Sequence, residues 1–250
     1  MSEVIYGKNS LLEAIRSNHN NDYFEKIYLS KEDKDVINLC LEKRLKYQIL
    51  SKEEFNLLLK KNNITNVNHQ GMVGIVKEYE YYDLKDIISN DNDSLIIMLD
   101  GIEDPHNLGA IIRSAEIAQV SGIILPKNRS VKVTPTVIKV STGATQYVKV
   151  AQVTNLVNTL KELKKNGYWI VGAEAGKDST NFWNVDYKMK VCLVVGSEGR
   201  GVSRLVKEEC DYLVEIPMWG KVNSLNASVS CGILIYEIRR QQKQINEQSK

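Results

Sequence analysis

The sequence lacks several features that would point to export, membranes or metal chemistry. Its four cysteines are far apart and include no CxxC pair: Cys40, Cys192, Cys210 and Cys231. That spacing argues against a zinc site and a disulfide framework, and it suits a reducing cytoplasm. No apolar run approaches the roughly 18–20 residues that cross a bilayer, and the amino terminus resembles no export signal. We therefore expect a cytoplasmic protein without a membrane segment, whose cysteines are buried apolar side chains rather than nucleophiles.

Acidic residues are missing from a long central stretch, although the formal net charge is only +2. No Asp or Glu lies between Glu116 and Glu162, and six basic residues fall in that gap: Lys127, Arg129, Lys132, Lys139, Lys149 and Lys161. A local cluster of cations favours phosphate binding more than total charge does. The simpler alternative is a solvated surface that happens to carry no acids.

The length and the charge distribution predict two domains joined by a linker. The chain has 250 residues, more than most single domains. Residues 77–93 are rich in acids and tyrosines, with 6 acidic and 2 basic side chains, and show no helix or strand periodicity. They predict a linker between a small α/β domain at 1–76, which is nearly neutral, and a larger domain at 94–250.

The larger domain shows a regular alternation of strands and helices. The predicted strands are Leu95–Leu99, Gly122–Leu125, Tyr147–Val150, Trp169–Gly172, Val191–Val195 and Tyr212–Glu215. The predicted helices are Leu108–Gln119, Pro135–Val140, Asn155–Asn166, Ser203–Glu209 and Leu225–Arg240. Continuous apolar strands such as LIIML indicate a parallel sheet that is covered on both faces. In the last helix, Leu225, Val229, Ile233 and Tyr236 are predicted to share one face, with Arg239 and Arg240 at its carboxyl end.

The first of three polar motifs is LDGIEDPHNLGAIIRSAE, Leu99–Glu116. Open α/β sheets bind ligands where strands end, and this motif begins at such a point. Asn107 stands at the start of the following helix, where an ordinary cap is the simpler interpretation. Arg113 follows beside Ile111 and Ile112, so we expect it to be partly buried and to bind an anion.

The second motif, VVGSEGRGV, places Gly196, Gly199 and Gly201 after a strand. Glycines at this density allow a sharp turn and a close approach to a ligand. The spacing matches neither the dinucleotide-binding pattern nor a P-loop, which argues against a nicotinamide-dependent enzyme. Glu198 inside the loop suits a ligand with positive charge or hydroxyl donors.

The third motif, IPMWGKVNSLNASVSCGILIYE, follows the last predicted strand at Ile216. Ser224 is predicted to cap the final helix, with Asn226 in its first turn. Helix capping explains these two residues as well as catalysis does.

In this order and spacing, the three motifs closely resemble those of the SpoU (TrmH-like) family of RNA ribose methyltransferases, in the SPOUT superfamily. Asn107 and Arg113 match its first motif, Glu198 and the glycines its second, and Ser224-Leu225-Asn226 its third. The match covers about residues 95–240. The segments YGKNSLLEAI and HQGMVGIV also resemble the substrate-binding domain of members that methylate 23S ribosomal RNA, the guanosine-2′-O type.

The resemblance implies a parallel SPOUT sheet with a carboxyl-terminal trefoil knot, preceded by a domain similar to ribosomal L30e and L7Ae proteins. It further implies a homodimer that uses S-adenosyl-L-methionine and RNA, with no metal. The implied cofactor residues are Gly196, Gly199, Gly201, Ile216 and Leu225. The implied catalytic residues are Asn107, Arg113, Glu198, Ser224 and Asn226. Lys127, Arg129 and Lys132 are the candidates for RNA contacts.

The resemblance leaves the roles and the target partly open. Since a guanidinium is too weak a base, we expect Arg113 to clamp a phosphate while Asn107 orients the ribose or Arg113. Glu198 would fix its loop, and Ser224 and Asn226 would position RNA or hold the helix start. The alternatives are transfer RNA or an antibiotic-resistance site in ribosomal RNA as target, or a ribosome-assembly protein that binds RNA without methylating it.

Overall fold

The structure is a computed structural model, and it describes residues 3–17, 23–65, 67–222 and 224–248. The chain divides into two compact units, Met1–Glu80 and Tyr81–Lys250. Each unit has its own sheet and its own buried core.

The first unit is a mixed sheet with helices. Its strands are β1 (Glu3–Tyr6), β2 (Phe24–Leu29), β3 (Tyr47–Ile49) and β4 (Met72–Val76). Its helices are α1 (Lys8–Ser17), α2 (Lys34–Glu42) and α3 (Lys52–Lys61). The strand order is β1-β4-β2-β3, and β4 runs antiparallel to both of its neighbours. The predicted α/β character of this region is confirmed.

The second unit contains a seven-stranded sheet whose described strand pairs are all parallel. Its strands are β5 (Leu95–Asp100), β6 (Gly122–Pro126), β7 (Val150–Val153), β8 (Trp169–Ala173), β9 (Thr180–Asn181), β10 (Val191–Gly196) and β11 (Tyr212–Glu215). Its helices are α4 (Pro105–Ile117), α5 (Pro135–Val140), α6 (Leu156–Lys165), α7 (Arg204–Lys207) and α8 (Ala227–Gln248). The order is β7-β6-β5-β10-β8-β11-β9. Strand β10 is buried along its whole length, as the prediction of a doubly covered parallel sheet requires.

The stretch predicted as a linker is divided between the two units. Residues 81–93 belong to the second unit, where Tyr82 forms a bridge with Ala151. Ile87 is buried in that unit's core, and it packs against Gly122, where a Cβ would come within 2.6 Å of it. The segment shows no helix or strand periodicity because the apolar side chains that anchor it, Leu84, Ile87 and Ile88, are grouped in one short stretch.

The final helix differs from its prediction at both ends. It begins at Ala227, and the Asn226 side chain caps it by accepting from the Ser228 backbone N–H at 2.9 Å, so Ser224 is not the cap. The helix continues through Gln248, which places Arg239 within it rather than near its end.

The buried side chains of α8 include Cys231, Leu234, Ile235 and Ile238. Val229, Ile233 and Tyr236, which were predicted to share one face, are all exposed in the single chain. The helix therefore has two apolar faces, of which one is covered. Among the described residues, no helix has the length and apolarity that a bilayer crossing requires.

Candidate active site

Three polar side chains, one from each motif, meet in a hydrogen-bonded triangle. The Asn107 amide donates to Glu198 Oε1 at 3.0 Å, and the Asn226 amide donates to the same oxygen at 2.8 Å. Asn226 also donates to Asn107 Oδ1 at 2.9 Å. Asn107 is only 7% exposed, so its polar group needs these partners. The structure thus brings together three predicted residues that are far apart in sequence.

Strand adjacency explains why the first two motifs meet. Strands β5 and β10 are parallel neighbours, and Asp100 is paired with Gly196 at their carboxyl ends. The chain after β5 enters α4, which starts with Pro105 and is capped by Asp104. Asn107 is therefore not the cap, and its side chain is available for Glu198 on the neighbouring loop.

The loop after β10 closes on itself through its glycines. The Gly201 backbone N–H donates to Ser197 O at 2.9 Å, and a Cβ on Gly196 would overlap the Gly201 backbone. Gly199 and Gly201 have φ values of +82° and +64°, in the region that favours glycine. Together these positions form a tight turn that other residues would strain.

A cavity of about 550 Å³ lies against this loop. Its lining includes all five residues that the resemblance implies for the cofactor: Gly196, Gly199, Gly201, Ile216 and Leu225. Glu198, Ser224 and Asn226 also line it. Sequence reasoning missed Glu174 and Glu215, which follow β8 and end β11 at the same edge of the sheet. Their position at strand ends was the signal that could have found them.

A second cavity of about 600 Å³ shares the glycine loop as a wall. Ser197, Glu198, Arg200 and Gly201 line both cavities. Asn107 lines only the second, so the triangle of amides and carboxylate lies where the two cavities adjoin. Arg129 also lines the second cavity, whereas Lys127 and Lys132 are exposed outside it.

Arg113 lies apart from both cavities. It is exposed on α4, although partial burial was predicted from its position beside Ile111 and Ile112. Those two isoleucines face the core, and Arg113 points away because consecutive residues of a helix diverge by about 100°. Ile117, one turn further along the helix, is exposed too. The structure therefore does not bring Arg113 to the other motif residues of its own chain.

Trp219 in the third motif stands on the surface of the second unit. Its ring is 85% exposed and stacks on Trp183, with 6.2 Å between ring centroids.

The cysteines are poor nucleophiles, because burial raises the pKa of each thiol. The pKa rises to about 11 for Cys40 and to about 12 for Cys210 and Cys231, and Cys192 is shifted in the same direction. In the described part of the chain, no cluster of three or more His, Cys, Asp or Glu side chains could hold a metal ion.

We expect the native thiols to react at pH 8 at least about a hundredfold more slowly than the same thiols in unfolded protein. Absorbance after addition of an aromatic disulfide reagent, with and without denaturant, measures both rates. A cysteine that reacts at the unfolded rate in native protein would contradict the burial described above.

Comparison with known families supports the motifs. A family model described as the SpoU rRNA Methylase family matches residues 94–236, more than half of the chain. The chain belongs to the SpoU family of RNA methyltransferases. Methylation of the ribose 2′-hydroxyl is typical of this family. A second model, described as RNA 2′-O ribose methyltransferase substrate binding, matches residues 4–82.

Relatives of this SpoU protein cover nearly its whole length. A Staphylococcus haemolyticus protein named as a TrmH family tRNA/rRNA methyltransferase is 42% identical, over 98% of each chain. The solved SpoU methyltransferase AviRb of Streptomyces viridochromogenes, in complex with the cofactor AdoMet, has a TM-score of 0.69 and 22% identity. That alignment covers 97% of this chain and 91% of AviRb. The A. aeolicus TrmH/SpoU tRNA modifying enzyme has a TM-score of 0.58 and 32% identity, over 67% of this chain and 84% of its own.

Proposed function

We propose that this SpoU protein transfers a methyl group from S-adenosyl-L-methionine to a ribose 2′-hydroxyl of 23S ribosomal RNA. The observation that carries the proposal is the triangle of Asn107, Glu198 and Asn226, which lies where two cavities adjoin. A transfer reaction needs two substrates side by side, and the shared wall provides that arrangement.

The residues around the first cavity fit the cofactor. Glu198 and Glu215 place two carboxylates in the cavity wall against the single cation of Arg200, while the third carboxylate, that of Glu174, is paired with Lys207; this excess of negative charge suits a ligand that carries a sulfonium and an ammonium group. A volume of about 550 Å³ lies in the range of small-molecule sites. When bound, the cofactor supplies a methyl group that is already electrophilic.

We assign the second cavity to the target nucleotide. Arg129 in its wall can pair with a phosphate, and exposed Lys127 and Lys132 extend the positive surface beyond it. Of the other cations in the acid-free stretch, Lys149 bonds to Asp86 O and Lys161 pairs with Glu209, so these two have structural partners. The proposed RNA contacts therefore remain with Lys127, Arg129 and Lys132.

The triangle itself positions groups rather than exchanging protons. Two amide donors hold Glu198 Oε1, which fixes the wall between the cavities. Asn107, on the nucleotide side, orients the ribose, while Ser224 beside the cofactor cavity contacts substrate. Arg113 contributes by gripping the phosphate next to the target ribose, since a guanidinium keeps its proton at neutral pH.

We further propose that the active enzyme is a homodimer. Val229, Ile233 and Tyr236 form an exposed apolar face on α8, and Ile117 is exposed on α4, which packs against α8. Such a face on adjacent helices favours burial against a second copy. A dimer also accounts for the position of Arg113, because this residue lines neither cavity of its own chain. We infer that Arg113 reaches the site of the partner subunit.

The finer architecture and the RNA target also belong to this proposal. We propose an L30e-like fold for the first unit and a trefoil knot in the loops that line the cofactor cavity, as the family resemblance implies. The match to a substrate-binding model supports RNA selection by the first unit. Because residues 1–76 are nearly neutral, that selection depends on RNA shape and unpaired bases more than on phosphate charge. Ribosomal RNA as substrate implies action in the cytoplasm.

Methyl transfer to transcripts of 23S RNA, 16S RNA and transfer RNA tests this function. We expect labelled methyl groups at a specific position of 23S RNA that becomes resistant to alkaline cleavage, because methylation removes the attacking 2′-hydroxyl. Label without alkaline resistance would indicate methylation of a base and contradict the proposal. Label on transfer RNA alone would support RNA methylation and contradict 23S RNA as the substrate. The same reactions with the Glu198→Ala variant control for other methyltransferases in the preparation.

A further inference from the structure

The glycine loop between the two cavities is held from both sides by carboxylates: Glu174, which lies outside the three motifs, and Asp100, which belongs to the first motif. The Glu174 Oε2 atom accepts the Val202 backbone N–H at 3.0 Å. The Asp100 Oδ2 atom accepts the next backbone N–H, that of Ser203, at 2.8 Å. Two consecutive amides at the end of the loop are therefore bound by two different acidic side chains.

The sheet order places these two carboxylates on opposite sides of the loop. Strand β10, which leads into the loop, lies between β5 and β8. Asp100 is the last residue of β5, and Glu174 directly follows β8. Each neighbouring strand thus ends in an acidic residue that turns toward the loop of the central strand.

A lysine fixes the Glu174 side chain in this position. Lys207 Nζ lies 2.6 Å from Glu174 Oε1, so one carboxylate oxygen binds the lysine and the other binds the loop. The Glu174 side chain is 19% exposed, so solvent screens this pair only partly. Gly201 packs so closely that a Cβ there would overlap the Glu174 carboxylate. The Gly201 backbone and the Glu174 carboxylate are therefore packed in close contact.

We propose that Glu174 and Asp100 are positioning residues that clamp residues 197–203, and that Lys207 holds Glu174 in place for this task. The inference rests on the proposed function, since the loop walls the proposed cofactor cavity. Gly199 and Gly201 give the loop many accessible conformations, and ordering glycine costs more entropy than ordering other residues. The clamp keeps the loop ordered before the cofactor arrives, so less of the binding energy is spent on ordering it.

A matched control lies near the start of β8, the strand that Glu174 follows. Asp211 Oδ2 accepts the Ile170 backbone N–H at 2.8 Å, and Asp211 Oδ1 lies 2.9 Å from Lys164 Nζ. This pair has the same chemistry as Glu174 with Lys207, and both lysine side chains are 35% exposed. Asp211 lines neither cavity, so Asp211→Ala removes an equivalent interaction without touching the loop.

Hydrogen–deuterium exchange of the full-length protein without ligand tests the clamp directly. In Glu174→Ala, we expect exchange in peptides covering residues 199–203 to rise at least about tenfold, while Asp211→Ala leaves it unchanged. In Lys207→Met we expect a smaller rise, because the carboxylate keeps its bond to Val202 but loses its anchor. Unchanged exchange at 199–203 in Glu174→Ala would overturn the clamp. Equal rises in Glu174→Ala and Asp211→Ala would do the same, since they would indicate general loosening.

Calorimetry with S-adenosylhomocysteine, the demethylated cofactor, then connects the clamp to binding. We expect the affinity of Glu174→Ala to fall at least about tenfold and that of Asp211→Ala to stay near wild type. Wild-type affinity in Glu174→Ala would overturn the positioning role. If the wild-type protein itself binds neither cofactor form, the proposed function fails, and the exchange data still decide whether the clamp exists.

Discussion

A mixed dimer of two inactive variants, Arg113→Ala and Glu198→Ala, should methylate RNA. Each variant as a homodimer should lose about a thousandfold in rate, as enzymes do when a group that stabilises the transition state is removed. In the mixed dimer, one site contains the intact Glu198 of one chain and the intact Arg113 of the other. We expect about half of the wild-type activity, because one of two symmetry-related sites is restored.

Co-expression with two different affinity tags and tandem purification isolates the mixed dimer for this assay. If Arg113 acts within its own chain, both sites of the mixed dimer are broken and no activity returns. Arg113→Lys should also remain inactive, since an ammonium does not reproduce the two-pronged guanidinium grip on a phosphate. Arg204, which pairs with Glu208 and lines neither cavity, is the matched control, and Arg204→Ala should keep normal activity.

The strands and the order of the motifs could be predicted because they depend on local patterns. Strands such as Leu95–Asp100 and Val191–Gly196 are short apolar runs that end in polar or glycine residues, and the structure confirms them. The buried face of α8 could not be predicted, for a physical reason. Its apolar residues occupy two faces, and spacing alone does not tell which one covers the chain's own core.

The site was predictable where its residues lie in recognisable loops, and not where distant strands meet. Asn107, Glu198 and Asn226 were proposed separately, but their hydrogen-bonded triangle depends on β5 and β10 being neighbours. Glu174 was not predicted, because its proposed positioning role depends on a hydrogen bond from the Val202 backbone N–H, 28 residues later. The position of Arg113 on the exposed side of α4 depends on which helix face the sheet covers, and that information is tertiary.

Arg239→Ala should strongly destabilise the second unit, although Arg239 lies outside the site. Arg239 is 8% exposed and donates to the backbone oxygens of Ala118, Gln119 and Asp93. These bonds satisfy carbonyls at the end of α4 and just before β5, so α8 is tied to two other elements. With the guanidinium removed, each of the three carbonyls loses a donor at about 1 kcal/mol apiece, and we expect a total loss of about 3 kcal/mol.

Urea unfolding followed by tryptophan fluorescence measures this loss in the relevant unit, because Trp169, Trp183 and Trp219 all lie in the second unit. Arg240 is the matched control, since it is the next residue and pairs with Glu237 in an exposed ion pair. Arg240→Ala should cost no more than about 0.5 kcal/mol. Arg239→Lys should recover only part of the loss, because one ammonium group cannot reach all three carbonyls that the planar guanidinium binds. If Arg239→Ala and Arg240→Ala unfold at the same urea concentration, the buried guanidinium does not hold these elements together.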